Sequence, residues 1–259
     1  MYSLINRTDA LVLCLVLFCG ILLMATLGRW CNKRWRGDAH ELKGGVNSLL
    51  SALFALSGLT LAFTFGMSGN RMENVRGVVR REANDISSAI RRADFYPDSV
   101  REEFRADFKE YVEAVIHFYE NATNRALLYK AIEDANKIGD RLWTRVAQQS
   151  KQPNMLIPSS QMTPALNQML DSATTRITVL KSKVPDLIIY MLFICVFATC
   201  FIGGFTSSAF HYKDWIIITG FAIITSMVVY TTLDLARPMR GIIKETAGKD
   251  AIIELRKMF

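Results

Sequence analysis

Four hydroxyl residues, Ser57, Thr60, Thr64 and Ser68, recur at helical spacing inside the otherwise apolar run 44–68. At about 100° per residue they share one narrow helix face. Asn47 and Ser51 lie on its adjoining edge, while Leu50, Leu53 and Phe63 point elsewhere. Hydroxyl oxygens solvate ions of either sign, so such a row suits an aqueous path without setting its selectivity. The same small residues, Ser57-Gly58 among them, also suit close packing between membrane helices. Two features favour the pore. The stripe continues past the apolar run through Arg71, Val75, Val78, Glu82 and Asp85 at helical spacing. A single subunit with four spans also has few helices with which to enclose water, so a symmetric ring is the natural solution.

Two further groups of residues could do chemistry. Glu82 and Asp85 are either a functional acid pair or partners in local ion pairs with Arg81 or Arg92. Asp234 ends an apolar run, with Arg237 three residues on and on the same helix face. That pair is either a local ion pair closing the span at Pro238 or a gate or ion site, because ionisable groups at membrane depth are costly. Enzyme chemistry finds no support: there is no phosphate-cradling Gly loop, zinc-protease helix or nucleophile elbow. His40, His117 and His211 are too scattered for a metal cluster. Cys14, Cys19, Cys195 and Cys200 fall inside apolar runs and Cys31 just beyond one, which reads as small buried hydrophobes. No cofactor is expected.

The elements that must position these residues follow from the distribution of apolar side chains. Of 259 residues 51% are hydrophobic, and the apolar runs cluster at 10–28, 44–67, 187–210 and 215–235. A crossing helix needs about 20 predominantly apolar residues. The expected organisation is therefore an N-terminal transmembrane hairpin over 1–68, a helical cytoplasmic domain over 69–186, a C-terminal hairpin over 187–236 and a cytoplasmic tail over 237–259. The first run is followed by basic residues instead of a small-residue cleavage site, so it reads as a retained span. The net charge of +7 fits a positive-inside excess, and no nucleic-acid motif accompanies it.

Twelve near-membrane Lys and Arg residues lie on the insert side, against six on the other, which favours both termini and the insert inside. The basic linker 29–43 pulls the opposite way. Within the insert, Asp94-Phe95-Tyr96-Pro97-Asp98 reads as a turn, and Ser99 with Glu102 as a capping box. Phe104, Phe108, Tyr111, Val115 and Phe118 form an apolar stripe. A further helix is expected over 124–149, carrying Ala126, Leu127, Lys130, Ile138, Leu142 and Val146. Thr163 reads as the N-cap of another helix, with Pro164 at its first position. Pro185 and Asp186 open the third span.

Three stretches carry a family likeness: LTLAFTFGMS at 59–68, REANDISSAIRRADFYP at 81–97 and LDLARPMRG at 233–241. With the order of two spans, helical insert and two spans, the chain resembles the bacterial bestrophin-like domain family. That resemblance implies an all-α membrane protein, assembled as a homo-oligomer and specifically a pentamer, that conducts ions through the bacterial inner membrane. It makes Ser57, Thr60, Leu61, Thr64, Phe65 and Ser68 the pore-lining set beside Asn47 and Ser51, with Phe65 a hydrophobic gate. Arg71, Glu82 and Asp85 then belong to a cytoplasmic vestibule. The implied partners are membrane lipid, further copies of the chain and monovalent ions, with potassium ahead of chloride. A non-conducting scaffold or sensor is the rival reading. Family members commonly read LDLDRP where this chain has Ala236, and no run of acids corresponds to a calcium clasp.

Overall fold

The computed structural model describes residues 9–35, 43–182, 185–206, 212–237, 239 and 247–259. Most of the basic linker (36–42), the connection 207–211 and Pro238 lie outside the described residues. So do the side chains of Trp35 and Asn47. Among the described residues all regular structure is helical: α1 (Ala10–Trp35), α2 (Lys43–Arg92), α3 (Asp98–Glu120), α4 (Arg125–Gln149), α5 (Leu156–Lys181), α6 (Asp186–Thr206), α7 (Tyr212–Leu235) and α8 (Ala247–Glu254), with short 3-10 turns between some of them. Four helical stretches are long and apolar enough to cross a membrane, with their apolar parts on α1, α2, α6 and α7. The protein is an all-α, multi-pass membrane protein.

The chain divides into two compact units, one of residues 1–71 and 184–236, the other of 72–183 and 237–259. In the first, α1 and α6 approach until their backbones touch. A Cβ on Gly28 would stand 2.0 Å from the Phe201 carbonyl oxygen, and one on Gly204 would stand 2.1 Å from that of Ala25. Lipid offers no hydrophobic drive for helices to associate, so such contact by small residues is what holds them. Leu17, Ile21, Leu192, Val196, Ala222 and Val229 fill the core around this seam.

The second unit is built on the apolar stripe of α3. Phe104, Phe108, Tyr111, Val115 and Phe118 are all buried against Val79, Ile86 and Ile90 of α2 and Leu142 and Val146 of α4. Asp107 and its neighbours Glu103 and Glu110 bind Arg141 and Arg145 of α4 along the edge of this contact. The end of the chain folds onto α3: Ile252 and Leu255 are buried, and Arg256 grips Glu113 through two hydrogen bonds of 2.7 and 2.6 Å.

Several local expectations are corrected. Ser99 caps nothing: α3 starts at Asp98, with Pro97 before it already supplying the turn (φ −58°, ψ 155°). Asn124 does cap α4, accepting from the backbone N–H groups of Ala126 and Leu127. Leu127 and Lys130 are exposed, and the buried face of α4 runs instead through Ala131, Ala135, Gly139, Leu142 and Val146. Thr163 is not an N-cap, because α5 begins at Leu156 and Pro164 sits inside it. Pro158 occupies the first turn, where no donor is needed. Burial of Met162, Ala165, Leu166 and Met169 carries the helix through Pro164, against an interior-proline cost of about 3 kcal/mol. Of the cysteines, all free, Cys14 and Cys200 are buried, while Cys19 is exposed on α1.

Candidate functional site

Helix α2 carries every residue of the hydroxyl row and continues without interruption for 50 residues. At 1.5 Å per residue it is about 75 Å long. Gly58, Gly66, Gly69 and Gly77 do not break it, and a Cβ at any of these positions would meet nothing within 4 Å. These glycines therefore mark a side of α2 that its own subunit leaves uncovered.

The hydroxyl row lies on the other side. Ser57, Thr64 and Ser68 are 5%, 1% and 1% exposed. The Ser57 hydroxyl lies 2.8 Å from that of Thr199 on α6, and Thr199 also donates to the Cys195 carbonyl at 2.7 Å. Thr60 and Thr64 bond back to the carbonyls of Leu56 and Thr60, as hydroxyls in apolar helices do when no outside partner is offered. Phe54, on the same flank, meets Phe221 of α7 edge to face. Buried Thr225, Ser226, Thr232 and Asp234 of α7 add to a polar interior in this unit. Ser57, Thr64 and Ser68, expected to line a pore, are thus covered within their own subunit. Thr60 and Leu61 are half-buried at the edges, whereas Ser51 and Phe65 are exposed. Opposite the hydroxyl row stand Ala55, Leu59, Ala62, Phe63 and Gly66, all exposed. Glycine and alanine recur along this far side.

Near Ala25, Leu50, Phe54, Thr199, Gly203 and Phe221 the helices of the first unit leave a half-open cleft of about 290 Å³. Its one hydroxyl, Thr199, is already bonded, so the cleft offers nothing to an ion.

At the other end of this unit, Arg71 Nε donates to the Ala236 carbonyl at 3.3 Å, tying α2 to the end of α7. Arg71 is thus held by a helix terminus, where a cation is favoured. Asp234, two residues earlier, is buried and Arg237 is half-buried.

The two acids expected in a vestibule are buried in the second unit instead. Glu82 is fully buried and its partner is Arg176 of α5, at 3.0 Å, in place of Arg81 or Arg92. Asp85 is buried beside it. Burial pushes the Glu82 carboxyl above the usual carboxylate range, partly offset by the Arg176 charge and reinforced by Asp85. Asp85 is raised by burial as well, against a hydrogen bond from Ser172 and the charge of Arg81. With both acids turned inward, the exposed residues of α2 beyond Arg71 are Glu73, Asn74, Gly77, Arg80, Arg81, Asn84, Ser88 and Arg91. Among the described residues, no group of three or more His, Cys, Asp or Glu is placed to hold a metal ion.

Comparison with known proteins places this architecture. A search of curated proteins returns no match. Solved structures do match. A bacterial bestrophin homologue from Klebsiella pneumoniae carrying a point mutation superposes with a TM-score of 0.68 at 13% identity, over 95% of this chain and 98% of that one. A second structure of a Klebsiella pneumoniae bestrophin homologue gives 0.64 at 14%, over 93% and 94%. A structure described as a membrane protein with a point mutation gives 0.65 at 14%, over 93% and 97%. These identities establish a shared fold. The family model for the Bestrophin-like domain matches residues 14–244, and the chain accordingly belongs to the Bestrophin-like domain family.

Proposed function

We propose that this protein is a passive ion channel, formed by several copies of the chain around a common axis in the bacterial inner membrane, with a pentamer the expected ring. The observation that carries the reading is the two-sided character of α2. Its hydroxyl side is covered by its own subunit, and its glycine–alanine side is left open through the membrane-spanning part. Ala55, Leu59, Ala62, Phe63 and Gly66 are then the lining. Small residues widen the path, while Leu59 and Phe63 narrow it into an apolar constriction of the kind that gates by dewetting. Ser51 and Phe65 flank this face.

Potassium permeation is what the family likeness implies. A second reading, anion permeation, is favoured by charge. Beyond the membrane the open side of α2 exposes Arg80, Arg81 and Arg91 against Glu73, whose charge is met by Arg76 at 3.7 Å. Rings of arginine concentrate anions and repel cations. Current through the purified protein in a planar bilayer under a potassium chloride gradient tests both. Reversal near the chloride equilibrium potential supports the anion reading, and reversal near that of potassium supports the cation reading. A silent, monomeric protein rejects the channel and returns the scaffold.

A further inference from the structure

Inside the second unit, α2 buries two carboxylates, and one of them pairs with a buried guanidinium. Glu82 and Asp85 stand three residues apart on α2, so they share a helix face. Arg176 reaches Glu82 from α5, and both members of the Glu82–Arg176 pair are buried. α3 encloses the group with Tyr111, Phe118 and Tyr119. The Arg176 guanidinium lies 4.2 Å from the ring centre of Phe118 and 5.6 Å from that of Tyr119. Ser172 of α5 and Arg81 of α2 are the other groups that act on Asp85, and Arg81 is exposed, so its charge is screened by solvent. Neither Glu82 oxygen accepts a protein hydrogen bond, nor does Asp85 Oδ2. Glu82 and Asp85 are thus two buried carboxylates beside one buried cation, Arg176, whose ion pair is with Glu82, and an unbalanced charge in such a place is strongly disfavoured.

We propose that Glu82 and Asp85 form a buried proton-binding site that holds one proton between them against Arg176. The proton comes from water, forms one O–H bond on either carboxyl and breaks none in the protein. The protonated carboxyl becomes a donor and gives its neighbour's orphaned oxygen a partner. Arg176 stays cationic throughout, and the two acids titrate as a pair instead of singly. Tyr111 takes no part, because burial and the Glu82 charge push its hydroxyl well above the ordinary tyrosine range. With the proton bound, the core is neutral. When the proton leaves, one excess negative charge remains between α2, α3 and α5 and loosens their contact. The effect on conduction rests on the channel reading, since Glu82 and Asp85 stand on α2; the proton site does not.

Neutralising Asp85 by Asp85→Asn leaves Glu82 as the partner of Arg176 and removes the need for a proton. Infrared difference spectra of the purified full chain between about pH 8 and pH 5 report protonated carboxyls directly. The wild type should keep a protonated-carboxyl band at a pH where ordinary carboxylates are ionised, and Asp85→Asn, which keeps the ion pair, should lose it. No such band in the wild type, or an unchanged band in Asp85→Asn, overturns the site. Bilayer current is read in parallel, with a change of about threefold or more expected over the same range in the wild type and none in Asp85→Asn. Silence from both proteins with the band present rejects the channel and leaves the proton site standing. Current with no band does the reverse.

Discussion

The Ser57 hydroxyl lies 2.8 Å from the hydroxyl of Thr199, on a different span of the same subunit. This contact turns the polar row of α2 inward. Hydrogen bonds between membrane helices contribute about 0.6 kcal/mol on average. Thr199→Val is therefore predicted to lower the stability of the detergent-solubilised protein by about 0.5–1.5 kcal/mol, seen as a small drop in unfolding temperature. Its conductance should be that of the wild type. A Thr199→Val or Ser57→Ala channel with altered selectivity would return the hydroxyl row to the pore.

Gly28 and Gly204 bring α1 and α6 into backbone contact. Adding side chains there forces the helices apart, so Gly28→Val and Gly204→Val should each cost about 3 kcal/mol or more. Gly58→Ala and Gly66→Ala meet open space within the subunit and should leave its unfolding temperature nearly unchanged. Equal losses at all four positions contradict this contrast between the closed α1–α6 seam and the open side of α2.

Removing one partner of the buried pair leaves the other charge stranded. Glu82→Gln is predicted to destabilise the second unit by about 3–5 kcal/mol, whereas replacing both Glu82 and Arg176 with apolar residues should recover most of that loss. Thermal unfolding of the single and double variants checks this. A double variant worse than the sum of its parts contradicts it.

Stability should also depend on pH with a definite sign. Burial raises the Glu82 and Asp85 carboxyls in the folded chain. Their contribution is complete below the unfolded values, about 4, and is lost as pH rises through the raised folded values. The unfolding temperature should therefore climb as pH falls from neutral toward about 5, and Asp85→Asn should flatten the climb. Glu113 acts in the opposite sense. The hydrogen bond from Arg256 holds its carboxyl below the usual range, so its contribution fades as pH falls through that lowered value. The Glu113 side chain is partly exposed, so the effect is small, and Arg256→Ala should release the chain end into faster hydrogen exchange.

Much of this fold was legible because membrane spans and amphipathic helices announce themselves by length and period. The stripe from Phe104 to Phe118, the helix over 124–149 and the uninterrupted passage through Ser68 into the charged part of α2 were each readable from local residues. Thr163-Pro164 misled because a local start signal was outweighed by burial of Met162, Leu166 and Met169, which only tertiary packing reveals. A candidate helix could be chosen from the sequence, but which of its faces the subunit covers could not. A hydroxyl row and a glycine–alanine row on one helix are equally good candidates for a pore, and only Thr199, 142 positions away, decides which of them is covered. Arg176 could not have been paired with Glu82 from spacing, because the contact joins distant parts of the chain.

The most direct test of the account is thiol accessibility along α2 during conduction. Single substitutions Ala62→Cys and Thr64→Cys, one on each side of the helix, are reconstituted in a planar bilayer and exposed to a charged, membrane-impermeant thiol reagent, with the wild type as control for its own cysteines. Current through the Ala62→Cys protein should be blocked, and current through the Thr64→Cys protein should persist. Block at Thr64→Cys with Ala62→Cys untouched would place the ion path on the covered side of α2 and contradict the account.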